Sequence, residues 1–281
     1  MSNAINGGTA LTASNTGFIE GGTRALASHW PEYLMEAVGL GLFMLAACLF
    51  TGLLEYPGSP THGALTDPGL RRCLTGIAMG LTAIAIIYSP MGKRSGAHLN
   101  PSVTLTFWRL GKISSWDAAF YVLFQFVGST LGVLAAAALM PMVIGHPTVN
   151  YAVTLPGTAG RWTAFLAELA ISFGLMLTVL TISNRPRLNR YTGLFAGALV
   201  AVYISLEAPL SGMSMNPART FASALPAMQW TDAWIYFLAP PMGMLLAAQA
   251  YVFRHGVSAV LCCKLHHENG SRCIFQCRYA H

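Results

Sequence analysis

Two decapeptides with one pattern stand in the two halves of the chain: Ser95-Gly96-Ala97-His98-Leu99-Asn100-Pro101-Ser102-Val103-Thr104 and Ser211-Gly212-Met213-Ser214-Met215-Asn216-Pro217-Ala218-Arg219-Thr220. Each leads from a small-residue loop through Asn-Pro into an apolar run. Asn is a strong helix N-cap, and Pro at the first helical position gives up an N–H that would be unpaired anyway, so each copy should open a short helix. The chemistry this offers is hydrogen bonding without titration. The amides of Asn100 and Asn216 can donate to a passing neutral molecule, and the helix N-termini, each worth roughly half a positive charge, repel a cation held between them. The loops before the motifs, at Gly96, Ala97, His98 and at Gly212, Met213, Ser214, should present backbone carbonyls as a ladder of acceptors, with Gly96 and Gly212 allowing the tight backbone this requires.

The elements that position these motifs are apolar. Of 281 residues 54% are hydrophobic and only 9% charged, too little polar surface for a soluble globule of this size. Six stretches, at about 31–54, 70–90, 115–139, 161–183, 191–209 and 232–253, are long enough to cross roughly 30 Å of hydrocarbon. Pro31 is expected to open the first, and Pro240-Pro241 falls inside the last. The runs 101–109 and 217–225 cover only about 13 Å each, so two placed N-terminus to N-terminus make one broken span. Three spans per half is an odd number, so the halves must be inverted, and the half-helices meet at mid-depth.

The formal charge of +6 is scattered over short loops without interleaved aromatics, which argues for membrane orientation rather than nucleic acid. With both termini cytoplasmic, most Lys and Arg fall inside. Only Arg71, Arg72, Arg161 and Arg219 are left for the outer side or the pore; Arg71 and Arg72 fit the rule least, and Arg219 is the one cation assigned to the pore. The polar first thirty residues lack an h-region with a cleavage site, so the first span is expected to act as the targeting signal. No Ser/His/Asp set, phosphate loop or metal cluster accompanies the motifs, so an enzyme is not expected.

On these motifs the chain resembles the aquaporin, or major intrinsic protein, family over about residues 31–254. The resemblance implies an all-α membrane fold of six transmembrane helices plus two half-helices in an inverted repeat (about 31–139 and 161–254), a homotetramer with one pore per subunit, and no required cofactor. It places Glu36, Gln125 and Glu168 where the family has buried polar residues that brace the loops. It places Arg219 in an outer constriction with Met79, Ile204 and Met213. Water pores of the family usually carry His and an aromatic there, and glycerol facilitators two aromatics; this chain has neither. Thr220 and Ala224 stand where glycerol facilitators carry Asp and a basic residue, and Tyr236-Phe237 is like the aromatic pair of water pores. The expectation is therefore a channel in the cell membrane, nearer the water branch, that passes water and other small neutral solutes but not protons or ions. The alternatives are a pore for glycerol, urea, ammonia, hydrogen peroxide or a metalloid acid, or a closed sensory protein of the same fold.

Beyond a polar segment 1–30 and the channel unit 31–254 lies a tail, 255–281, with four of the six cysteines. The spacing of Cys263, His266, Cys273 and Cys277 could close a tetrahedral zinc site. The other reading is a membrane-proximal tail acylated at Cys262 or Cys263.

Overall fold

The computed structural model describes residues 8–267 and 270–279, with side chains from residue 20 onward. The first seven residues of the segment 1–30, and residues 268, 269, 280 and 281 of the tail, lie outside this range. Among the described residues there are helices and no strands. Eight principal helices follow one another: α1 (Gly8–Glu55), α2 (Pro68–Tyr88), α3 (Pro101–Arg109), α4 (Ser115–Leu139), α5 (Arg161–Ser183), α6 (Thr192–Leu206), α7 (Pro217–Ala227) and α8 (Trp234–His255).

Five of these are long and apolar enough to cross a bilayer: Glu20–Glu55 within α1, and α2, α4, α5 and α8. The sixth, α6, has 15 residues, about 22 Å of helix, and is extended by a helical turn at each end, Asn189–Tyr191 and Ala208–Ser211. The two half-helices have 9 and 11 residues. Exposed Leu123, Leu131, Leu166 and Leu246 point away from the bundle, as expected of side chains whose solvent is lipid.

Pro31 does not open the first span; α1 runs through it from Gly8. A proline inside a helix removes one backbone bond. Here the segment is held by contacts across the bundle: Tyr33 Oη donates to Asp117 at 2.6 Å, His29 Nδ1 lies 2.7 Å from the same carboxylate, and Arg94 Nε donates to buried Glu32 at 2.9 Å.

Spanning helices pair as α1 with α4, α2 with α6, and α5 with α8, so each repeat makes equivalent contacts. Small residues set these approaches. A Cβ on Gly132 would stand 2.1 Å from the Gly41 carbonyl oxygen, and one on Gly80 would stand 2.5 Å from that of Gly197. The half-helices cross over between repeats: α3 packs on α8, and α7 on α4. Arg71, out of place by the charge rule, is bound by the Glu55 carboxylate at 3.1 Å and by the carbonyls of Leu65 and Thr66. Arg72 donates from Nε to the Ser205 carbonyl at 2.9 Å.

Candidate functional site: a central pore

Asn100 and Asn216 cap α3 and α7 in extended backbone, with Pro101 and Pro217 as the first helical residues. The Asn100 side-chain oxygen accepts from Ser102 N at 2.8 Å; that of Asn216 accepts from Ala218 N and Arg219 N at 3.1 and 3.3 Å. This fixes both amides. Each then donates one N–H to the opposite loop: Asn100 Nδ2 to the Met215 carbonyl at 2.7 Å, and Asn216 Nδ2 to the Leu99 carbonyl at 2.8 Å. An amide nitrogen has two hydrogens, so one donor on each Asn remains for a molecule in the pore.

The two loops share one unusual backbone. Positive φ occurs at Gly96, Ala97 and Leu99 and again at Gly212, Met213 and Met215, at identical offsets from the asparagines. Such alternation turns successive carbonyls away from helical bonding, and non-glycine residues hold it only where the surroundings over-determine it.

Buried carboxylates supply that restraint. Glu36 accepts from Ser95 Oγ (2.8 Å), His98 N (3.0 Å), Leu99 N (2.6 Å) and Gln125 Nε2 (2.9 Å). Glu168 accepts from Ser211 Oγ (2.8 Å), Ser214 N (2.6 Å) and Met215 N (2.7 Å). Three further pairs of the scaffold escaped the sequence reading. Tyr121 and Tyr236 donate to the carbonyls of Ser95 and Ser211 at 2.6 and 2.5 Å. Thr104 meets His98 Nδ1 at 3.1 Å, while Thr220 meets Ser214 Oγ at 2.6 Å. Ser95 and Ser211 also accept from the N–H two residues on, at 3.1 Å in both loops. The threonines were visible as the last residue of each decapeptide; the tyrosines stand 21 and 20 residues past their asparagines, a repeat too dispersed for a short motif.

One cavity of about 460 Å³ runs past both asparagines. Its lining includes Ala97, His98, Gly212, Met213 and Ser214 of the two loops, and Met79, Ile204 and Arg219 also lie on its wall. Met79 and Met213 are buried, and Arg219 Nη1 is a buried donor without a hydrogen-bond partner among the described residues. Gly96 is absent from the wall, and its carbonyl accepts from Leu265 N at 3.0 Å. Leu265, Ile87 and Val179 also line the cavity.

The tail differs from its expected ligand set. The ligand atoms brought within 4.8 Å of one another belong to Cys262, His267, Cys273 and Cys277. Cys263 and His266 are not among them: Cys263 Sγ points inward, 3.6 Å from the Lys112 carbonyl, and His266 packs edge-on against Tyr88. Its hydrogen bond with Cys262, together with burial, pushes the Cys273 thiol up to about 12.

Paired half-helices meeting at a lined cavity inside an inverted helical repeat define a membrane pore protein. Residues 24–251 match the major intrinsic protein family. The chain is 32% identical over 242 residues to aquaporin NIP1-3 of Oryza sativa subsp. japonica, covering 83% of this chain and 79% of that one. It is 30% identical over 238 residues to aquaporin NIP1-1 of Zea mays, with the same coverage of 83% and 79%. The X-ray structure of the aquaglyceroporin from Plasmodium falciparum superposes with a TM-score of 0.67 at 20% identity, over 80% of this chain and 96% of that chain. The chain belongs to the major intrinsic protein family, whose members are channels and not enzymes. These relatives do not carry the expectation that it stands nearer the water branch than the glycerol facilitators.

Proposed function

We propose that this protein conducts water and other small neutral solutes passively across a membrane and excludes protons and ions. The observation that carries this reading is the pair of fixed asparagine amides, each bonded to the opposite loop with one N–H left over beside a common cavity. A solute oxygen accepting from both would turn its own hydrogens away from the centre, interrupting a proton wire, and the two helix N-termini would add an electrostatic barrier there. Conduction by this route needs no cofactor.

Met79, Ile204, Met213 and Arg219 form the selectivity neck in this reading. Thioether side chains are flexible and polarisable, and without a His the neck has one strong donor group, Arg219. A buried guanidinium N–H without a protein partner favours a solute that can accept from it. That observation also supports the second reading, a pore whose main cargo is a larger neutral hydroxylated solute. Chains in the cell membrane with both termini cytoplasmic, assembled as homotetramers with one pore each, complete the proposal. The Cys/His cluster of the tail is a separate candidate for zinc.

Stopped-flow light scattering on proteoliposomes separates the two readings. Water conduction predicts faster shrinkage than empty vesicles under an impermeant osmolyte. Rapid re-swelling in glycerol or urea without faster initial shrinkage favours the second reading, and vesicles that match empty ones in every solute contradict both.

A further inference from the structure

The C-terminal segment after α8 does not leave the bundle. Leu261 N donates to Asn184 Oδ1 at 2.7 Å, Arg278 N returns to the Leu261 carbonyl at 2.9 Å, and Gln276 N reaches the Lys112 carbonyl at 3.0 Å. Between these anchors it enters the inner mouth of the cavity. His98 Nε2 donates to the Cys263 carbonyl at 3.1 Å, and the imidazole is stacked between Phe107 and Phe275. Leu265 lines the cavity itself, and its N–H consumes the Gly96 carbonyl. Cys263, Lys264, Leu265 and Phe275 are all buried, which is the burial of a plug rather than of a loose tail.

Among the described residues the segment has no helix longer than one turn, so besides these anchors its own shape depends on the cluster of Cys262, His267, Cys273 and Cys277. Cys262 Sγ and Cys273 Sγ are 3.7 Å apart, close to the roughly 3.8 Å that two thiolates keep on a tetrahedral zinc at about 2.3 Å each. The same separation is far beyond the S–S bond of about 2.05 Å. Cys277 Sγ lies 2.9 Å from His267 Nε2, and the His267 ring stacks on Tyr279, whose hydroxyl donates to the Ser183 carbonyl. Three sulfurs and one imidazole make a closed structural set with no position left for a substrate. Lys112 and Lys264 are near enough to the thiols to offset the net negative charge such a centre carries.

We infer that Cys262, His267, Cys273 and Cys277 bind one zinc ion, and that this clasp holds residues 262–267 and 270–277 as a cap over the inner mouth of the pore. The ion closes loops of four, five and three residues into one knot, so binding it orders the segment that seats Leu265 and Phe275. Loss of zinc frees the cap and opens the mouth. The cap rests on the channel reading above; the metal site does not.

The test uses the full chain. Cobalt(II) added to metal-free protein in detergent should bind one equivalent and give the visible spectrum of a tetrahedral thiolate site, displaced by zinc. Cys273→Ser and Cys277→Ser should each weaken binding at least about tenfold, while Cys263→Ser and His266→Ala keep the spectrum. In proteoliposomes, stripping zinc should raise the shrinkage rate at least about twofold, and the double variant Cys273→Ser/Cys277→Ser should be fast with or without zinc. Absence of a stoichiometric tetrahedral spectrum overturns the site, and so does an oxidised Cys262–Cys273 pair in freshly purified protein. A full spectrum with rapid flux that ignores zinc overturns the cap alone, whereas no flux in any form removes the channel reading and leaves the site standing.

Discussion

Glu168→Gln is the substitution for which the structure yields the clearest number. Glu168 is fully buried and receives three donors, Ser211 Oγ, Ser214 N and Met215 N. The Ser211 oxygen is itself an acceptor from Met213 N, so its hydroxyl hydrogen is free to point at the carboxylate. Glutamine has the same shape but turns one oxygen into an NH2. Facing Met215 N–H, it leaves that donor unpaired; facing Ser214 N–H, it does the same there. An orphaned buried N–H costs about 1–3 kcal/mol, and each of the two surviving bonds loses about 1 kcal/mol on trading a charged acceptor for a neutral one. The sum, roughly 3–5 kcal/mol, falls on the loop that carries Met213 and ends at Asn216. It is a large part of the stability of an ordinary domain. Size-exclusion thermostability in detergent should drop by several degrees, and solute flux at constant protein should change because Met213 and the loop carbonyls lose their restraint. Glu36→Gln should cost at least as much, because the new amide orphans His98 N–H or Leu99 N–H in the same way and, on the Leu99 side, also faces the Gln125 Nε2 donor. Wild-type thermostability and flux in Glu168→Gln would refute the claim that a carboxylate holds this loop.

Three other outcomes follow from the same geometry. Arg219→Ala should leave or raise water flux while increasing proton leak at least about twofold, read with a pH dye inside vesicles; an unchanged leak contradicts a role for the guanidinium in ion exclusion. Met213→Cys should make flux sensitive to mercurials and reversible by thiol, whereas the parent neck, with no Cys on it, resists them; strong thiol-reversible inhibition that persists in Cys73→Ser would show that Met213 has been misplaced. Gly132→Val should prevent α1 and α4 from meeting and yield aggregated protein, since even a Cβ would overlap the Gly41 carbonyl, while Gly63→Ala, with nothing within 4 Å, should be neutral by thermostability.

Much of the pore was legible because its signals are local and occur twice. Asn-Pro at a helix start and a glycine four residues before it each have a reason that needs no knowledge of the fold, whereas the bracing role of Glu36 and Glu168 came from the resemblance. The neck was less direct: Met79 and Ile204 lie on different helices from Arg219, and only the resemblance could gather them. What stayed hidden depends on long-range contacts. Helix α1 continues through Pro31 because Asp117 and Arg94, about 60 to 90 residues away, hold the segment. Tyr121 and Tyr236 brace the loops from other helices. In the tail, spacing alone suggested Cys263 and His266. The structure chose Cys262 and His267 because Cys263 and Leu265 are drawn inward toward Lys112 and Gly96, a preference set by the mouth of the pore and not by the tail's own pattern.

The central claim is that the paired asparagines pass a neutral molecule while breaking a proton wire. Its most direct test is simultaneous: proteoliposomes holding the metal-free full chain, an impermeant osmolyte and a trapped pH dye, under an osmotic step and then a pH step. The account predicts shrinkage several-fold faster than in empty vesicles, with a pH gradient that decays no faster than theirs. A gradient that collapses with the water flow, or shrinkage no faster than in bare lipid, would contradict it.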